Sequence, residues 1–113
     1  MPRIRSIKPE IWADEKIGKM THLERLCWIG LLTQADDAGR LQYNVRIFRY
    51  TIFPYDDHLT DEDIGEALCN IGNLGLFKPY RINGNVFIQI TNWNKHQRIN
   101  RPTDSRFPAP NQE

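Results

Sequence analysis

Positive side chains collect in short stretches of this chain, where they could contact the phosphate groups of a nucleic acid. Residues 1–8 contain three cations and no acid, and residues 95–106 contain four cations against Asp104 alone. Phosphate contacts of Lys and Arg give sequence-tolerant binding that weakens as salt rises. Ordinary solvated surface charges would show the same pattern, so the sequence leaves both interpretations open. The candidate DNA-binding residues are Arg3, Arg5, Lys8, Arg46, Arg49, Lys78, Arg81, Lys95 and Arg98.

A run of acidic residues could bind a positively charged partner. Residues 56–66 contain six acids and no Lys or Arg. Such a segment suits a basic surface, either on another protein or on a second copy of this chain. The candidate protein-binding residues are Asp61, Glu62 and Glu66. The alternative is that these acids only cap and solvate the start of a helix, where negative charge is favourable.

The histidines and cysteines form no recognisable catalytic or metal-binding motif. His22, His58 and His96 are scattered, and the sequence contains no H-E-x-x-H, C-x-x-C, G-x-x-x-x-G-K or G-x-S-x-G pattern. We therefore expect no catalytic residue, no metal site and no cofactor. Cys27 and Cys69 both fall on the apolar face of a predicted helix, which indicates two reduced thiols in the core of a cytosolic protein.

Length and composition limit the number of domains, the class of partner and the location of the protein. A chain of 113 residues predicts one domain with a modest core. Fifteen Lys and Arg against fourteen Asp and Glu give a net charge of +1, so the total charge does not indicate a partner. No apolar stretch approaches the ~20 residues of a membrane span, and the N-terminus lacks the apolar segment of a secretory signal. We expect a cytoplasmic location and no membrane partner.

Three helices and a hairpin are predicted to position these charges. A capping box at Thr21 opens a helix to Gln34, Asn44 caps a second helix that stops before Pro54, and Thr60 caps a third. Strands over 76–82 and 86–90 flank an Asn83-Gly84 turn, and residues 40–42 suit a short first strand. This order predicts an α+β winged helix-turn-helix, with three main helices and a wing sheet of two or three strands.

The remaining segments are predicted to flank this winged helix. Residues 1–8 suit an exposed basic arm. Pro9 suits the first position of a short helical turn, which Ile11 and Trp12 would anchor to the body. After Trp93 the chain becomes polar, basic and rich in proline. The predicted division is therefore a winged-helix domain with its arm over 1–97 and a proline-containing tail or linker over 98–113.

The third helix of this predicted fold has an unusual charge for a DNA reader. A standard winged helix docks the N-terminal part of that helix in the major groove. Here that part is Thr60-Asp61-Glu62-Asp63, and its carboxylates would repel the phosphates by ~1 kcal/mol per close pair in water. The sequence therefore favours DNA contact by the arm, the second helix and the wing over standard docking.

Four segments stand out by their sequence and order. They are Arg3-Ile4-Arg5-Ser6-Ile7-Lys8-Pro9-Glu10 followed by Trp12, Ala35-Asp36-Asp37-Ala38-Gly39-Arg40-Leu41, Phe53-Pro54-Tyr55-Asp56-Asp57 and Ile90-Thr91-Asn92-Trp93-Asn94-Lys95-His96-Gln97. In this order they resemble the N-terminal winged-helix domains of phage replisome organisers and replication initiators, which are similar to the DnaD group. The resemblance covers about residues 3–108.

The resemblance implies a phage or prophage protein in the cytoplasm of a bacterial host. It implies binding to duplex or single-stranded DNA at modest specificity, self-association, or both, in replication initiation, with a replication protein as a further partner. Those proteins usually continue into a second domain, whereas this chain stops. The alternative is a stand-alone interaction module that uses its acidic helix against a host nucleic-acid-binding protein, such as a component of a defence complex.

Overall fold

Five short to medium helices pack with one three-stranded antiparallel sheet in this protein. The computed structural model describes residues 3–99 and 101–110. The α+β class and the sheet are therefore confirmed. After a 3-10 turn at Pro9–Ala13, the elements are α1 (Glu15–Gly18), α2 (His22–Gln34), β1 (Arg40–Gln42), α3 (Val45–Ile52), α4 (Asp61–Asn73), β2 (Phe77–Ile82), β3 (Asn85–Ile90) and α5 (Trp93–His96).

Local hydrogen bonds set the helix starts where the sequence predicts them. Thr21 Oγ1 accepts from the Glu24 amide at 3.1 Å, and Glu24 Oε1 accepts from the Thr21 amide at 3.0 Å. Thr60 and Asp63 form the same reciprocal pair at the start of α4. Asn44 Oδ1 accepts from the Ile47 amide at 3.0 Å. These bonds confirm all three predicted helix starts. Each cap stabilises its helix by about 1 kcal/mol.

The strand order β1-β3-β2 gives the sheet an inner and an outer face. Phe77, Ile88 and Ile90 are buried on the inner face, against the helices. The outer face carries Arg40, Gln42, Lys78, Tyr80, Phe87 and Gln89, because directly paired residues share a face. Asn83 and Gly84 both have positive φ, as the predicted hairpin turn requires.

The core lies where α2 and α4 cross beneath the inner face of the sheet. Its most completely buried side chains are Leu31, Ile64, Leu68, Ile71, Ile88, Ile90 and Cys27. Gly39 lets the turn before β1 approach α5, since a Cβ there would lie 2.6 Å from the Trp93 ring and its φ is +78°. Trp93 Nε1 in turn donates to the Asp37 carbonyl at 2.9 Å.

Some apolar predictions for these helices are wrong. Trp12 does not anchor the N-terminal turn, since it is 70% exposed. The spacing of Leu23, Leu26 and Cys27 at i, i+3 and i+4 predicts that Leu26 is buried, but Leu26 is 53% exposed, whereas Trp28 is buried. Cys69 is exposed on α4, so only Cys27 is a core thiol. A helical period narrows the buried face of a helix but does not fix its centre. Trp28 is buried because other segments cover it: its ring lies 5.5 Å from that of His96 in α5, next to Ile7 and Ile11.

Within the predicted tail or linker, residues 101–110 fold back over the domain. We call these residues the C-terminal strap. It contains no helix or strand, and it lies against the outer face of the sheet and the turn at Asp36 and Asp37. Residue 100, residues 111–113 of the predicted tail and residues 1–2 of the predicted arm lie outside the described residues.

Candidate nucleic-acid interface

The two arginines of α3 both contact Asp61 at the start of α4, although the Arg46 side chain stays 73% exposed and only that of Arg49, at 18%, is largely covered. Arg49 Nε donates to Asp61 Oδ1 at 2.6 Å, and Arg46 Nε donates to Asp61 Oδ2 at 3.1 Å. The hydrogen bond from Arg49, followed by that from Arg46, lowers the pKa of Asp61 below its usual value. The prediction that Arg46 and Arg49 share a face is confirmed. However, these two candidate DNA-binding residues form ion pairs with Asp61, which is a candidate protein-binding residue.

The other acids at the start of α4 divide into two groups. Asp63 Oδ2 accepts from the Thr60 amide at 3.0 Å, and the Thr60 backbone hydrogen bond lowers the pKa of Asp63. Glu62 and Glu66 lie one helical turn apart and are exposed. Within the described residues they form no ion pair. The acidic surface of α4 is therefore narrower than the sequence predicts and centres on Glu62 and Glu66.

Arg5 is a buried structural residue and not part of an exposed arm, which corrects its assignment as a DNA contact. Its side chain is only 2% exposed. Nη1 donates to Asp37 Oδ1 at 3.1 Å, Nη2 donates to the Ala35 carbonyl at 2.8 Å, and the guanidinium lies 5.1 Å from the centre of the Trp93 ring. The neighbouring Arg3 is more exposed, with Nε 3.4 Å from Asp37 Oδ2.

The turn at Asp36 and Asp37 holds both ends of the chain, a role that sequence reasoning missed. Asp37 Oδ2 accepts from the amide of Thr103 at 2.9 Å and from its hydroxyl at 3.0 Å. Asp36 accepts the Ser105 hydroxyl on one oxygen and the amides of Ala38 and Arg40 on the other. The Thr103 backbone hydrogen bond contributes most to the lowered pKa of Asp37, with Arg5 next among the lowering contacts.

A second tie joins the N-terminal segment to the chain that follows α5. The buried Gln97 side chain accepts from the Ser6 amide and donates to the Ser6 carbonyl, both at 2.9 Å. Lys8 Nζ donates to the Lys95 carbonyl, and Arg3 Nη2 donates to the Arg101 carbonyl at 3.3 Å. This pairing brings together a basic patch that we define as Arg3, Lys8, Lys95, Arg98 and Arg101.

The basic patch brings Arg3 next to Arg101 and Lys8 next to Lys95. Lys8, Lys95, Arg98 and Arg101 are all exposed, and Arg3 keeps 43% of its side chain accessible. Asp14 and Glu10 lie near the Lys8 end, beside His96. Burial, followed by the charge of Lys8, lowers the pKa of His96, so the imidazole is held neutral at pH 7. Away from Asp14 and Glu10, the exposed cations of the basic patch form a positive surface.

The remaining two candidate cations lie on the hairpin of β2 and β3, which is the predicted wing. Lys78 and Arg81 are both exposed. Lys78 pairs with Gln89 on the outer face, whereas Arg81 pairs with Val86 on the inner face. Because the two side chains leave opposite faces of the sheet, they do not form one phosphate-binding surface.

A groove of about 690 Å³ lies between α3, β1 and the strap. Leu41 and Phe48 are buried at the groove, and Ile47 borders it from α3. Ile47 and Tyr50 are exposed on α3, and Tyr55 is 93% exposed in the turn that follows. This side of the molecule offers apolar area next to the acidic start of α4.

The chain has neither a metal cluster nor a membrane helix over residues 3–99 and 101–110. No group of three or more His, Cys, Asp or Glu side chains in this part could hold a metal ion. Nor does any of its helices have the length and apolar character to cross a membrane.

No family model, curated protein or solved structure matches the chain.

Proposed function

We propose that this domain is a winged helix-turn-helix. Support comes from the chain order α2, β1, α3, α4, β2, β3, with the three strands arranged β1-β3-β2 and a tight hairpin between the last two. In this assignment α3 and α4 are the helix-turn-helix pair, α4 is the third main helix, and the hairpin at Asn83 and Gly84 is the wing.

We further propose that the domain binds the phosphate backbone of DNA through the basic patch. The observation that carries this proposal is the set of hydrogen bonds that tie residues 3–8 to residues 95–99 and to Arg101. These bonds bring Arg3 next to Arg101 and Lys8 next to Lys95, and Arg98 follows the tie at Gln97 in the chain. Contacts of this kind tolerate sequence variation and release counterions, so affinity falls steeply with salt. Single-stranded and duplex DNA both present the phosphates that the patch requires.

The helix-turn-helix face is a poorer candidate for the same role. Arg46 and Arg49 share the single carboxylate of Asp61, and Glu62 and Glu66 would face the phosphates if α4 entered a groove. Repulsion from two exposed carboxylates opposes that docking. The domain therefore contacts DNA with the side that carries residues 3–8 and 95–98, and α4 stays outside the groove.

The resemblance to phage replisome organisers gives this binding its context. In that context the domain acts in replication initiation of a phage or prophage, in the cytoplasm of a bacterial host. Self-association fits the same role, because the exposed Glu62 and Glu66 of one copy complement the basic patch of another. Electrostatic pairing of this kind increases the association rate more than the affinity.

The experiment is fluorescence anisotropy of labelled duplex and single-stranded DNA over a salt series. Lys95→Glu/Arg98→Glu should flatten the slope of log affinity against log salt by about 2, because two phosphate contacts are lost. Lys16→Glu/Lys19→Glu is the matched control, since it makes the same charge change at two exposed lysines near α1. Equal effects of the two variants would show that only net charge matters and would refute a specific patch.

The second candidate function is a protein-interaction module that uses α4 against a host protein. The observation that favours it is the exposed Glu62 and Glu66 beside the apolar side chains of Ile47, Tyr50 and Tyr55. Apolar anchors with acids at the rim suit a basic protein surface. If DNA binding is absent at low salt, Glu62→Lys/Glu66→Lys should abolish capture of the host partner, whereas Lys95→Glu/Arg98→Glu should not.

A further inference from the structure

The outer face of the sheet carries two aromatic rings with cations on either side. Tyr80 on β2 and Phe87 on β3 are direct cross-strand partners, with ring centres 5.6 Å apart and planes tilted by 31°. Lys78 lies two residues from Tyr80 on the same face, and Arg40 lies on the far strand. Aromatic rings bordered by cations on an open sheet are the usual platform for stacking the bases of a single strand.

The C-terminal strap covers this platform through three contacts. The Phe107 ring lies 5.6 Å from the Phe87 ring at 45°. Arg40 Nη1 donates to the Phe107 carbonyl at 3.1 Å, and the Tyr80 hydroxyl donates to the Pro108 carbonyl at 2.6 Å. A nucleotide offers the same chemistry, since a base stacks on a ring and phosphate oxygens accept from a guanidinium and a hydroxyl.

The strap is an addition to the domain rather than part of its core. Neither Phe107 nor Phe87 belongs to the hydrophobic cluster that α2, α4 and the inner face of the sheet form. The strap lacks secondary structure. Apart from its three contacts with the platform, it is held by the Thr103 amide and hydroxyl on Asp37, by the Ser105 hydroxyl on Asp36 and by the Arg3 side chain on the Arg101 carbonyl. Water can replace such bonds at modest cost, so the strap can leave while the core stays folded.

We propose that the outer face of the sheet is a second nucleic-acid site, specific for single strands, which the strap occupies in competition with the nucleic acid. Tyr80 and Phe87 stack bases in this site, and Lys78 and Arg40 contact phosphates. It goes beyond the proposed DNA contact, because it uses none of the basic patch. It also prefers single strands, since paired bases in a duplex cannot stack on protein rings.

The test releases the strap without altering the platform. Thr103→Val/Ser105→Ala/Phe107→Ala should bind a labelled short oligothymidylate about tenfold more tightly than the unmodified protein, with no gain for a duplex of equal length. Adding Tyr80→Leu or Lys78→Glu should remove the gain. Adding Lys95→Glu/Arg98→Glu should leave the gain in place, which separates this site from the basic patch.

Two results would overturn the proposal: a release variant that is folded by circular dichroism yet gains nothing, or a gain that survives both platform substitutions. If the release variant folds poorly, limited proteolysis of the unmodified protein tests the same proposal. Saturating oligothymidylate should speed tryptic cleavage after the exposed Arg106 relative to cleavage after Lys19, because a displaced strap is accessible. Unchanged relative cleavage would contradict displacement.

Discussion

Arg49 and Asp61 form a 2.6 Å hydrogen-bonded ion pair that joins α3 to the first turn of α4. Arg46 contacts the same carboxylate from the preceding turn of α3. The contact holds the two helices of the proposed helix-turn-helix pair in register. It also explains why an acidic helix start occurs next to basic side chains, since the opposite charges stabilise the same packing.

The first prediction concerns this ion pair. Asp61→Asn should lower the Tm by a few degrees, because the carboxylate charge is lost while one acceptor oxygen remains. The effect should be small, since Asp61 is 37% exposed and solvent screens the pair. Arg49→Gln in the Asp61→Asn background should add little, which a double-mutant cycle by thermal denaturation would measure. Fully additive losses would contradict the coupling.

The second prediction concerns acid denaturation. The pKa of Asp37 is lowered in the folded protein, so its contribution to stability is present above the unfolded pKa of about 3.9. That contribution is lost as the pH falls through the folded pKa. Tm measured across the acid range should therefore fall less steeply below about pH 4 for Asp37→Asn than for the unmodified protein. Parallel curves would show that Asp37 is not protonated on unfolding.

The third prediction concerns the tie between Ser6 and Gln97. Gln97→Leu leaves the Ser6 amide and carbonyl without their partner, which should cost ~1–3 kcal/mol of the free energy of unfolding. Hydrogen exchange over residues 3–8 should accelerate, and DNA affinity should fall because the basic patch is no longer held together. Exchange that stays slow over these residues would contradict the role of Gln97.

The fourth prediction concerns the two thiols. Cys69 is exposed, whereas burial, followed by the charge of Glu24, raises the pKa of Cys27 to about 12. Because the thiolate is the reactive form, the native protein should react with one equivalent of a thiol reagent. Cys69→Ala should abolish the fast reaction, and denaturant should restore reactivity through Cys27. Two fast equivalents in native buffer would contradict the burial of Cys27.

The sequence predicts features that depend on neighbouring residues. The capping boxes at Thr21 and Thr60, the stop before Pro54 and the Asn83-Gly84 turn each require only a few adjacent positions, and the structure contains all of them. The shared face of Arg46 and Arg49 follows from helical geometry in the same way. What these arginines face, however, depends on how α3 packs on α4.

Long-range pairings escape sequence reasoning. Asp37 and Thr103 are 66 positions apart, and Gln97 and Ser6 are 91 positions apart. Nothing local distinguishes Thr103 from a residue in a free tail, or Arg5 from a residue in an exposed arm. One signal was present: two adjacent carboxylates in a tight turn, Asp36 and Asp37, have more acceptor oxygens than the turn itself uses.

The most direct test of the account compares two charge reversals of equal size in the DNA anisotropy assay. Lys95→Glu/Arg98→Glu alters the basic patch, and Arg46→Glu/Arg49→Glu alters the helix-turn-helix face. The account predicts that the first variant loses DNA affinity and salt dependence, while the second retains most of both if it remains folded. Retained binding in the first variant, with loss in a folded second variant, would place the DNA on α3 and α4 and contradict the account.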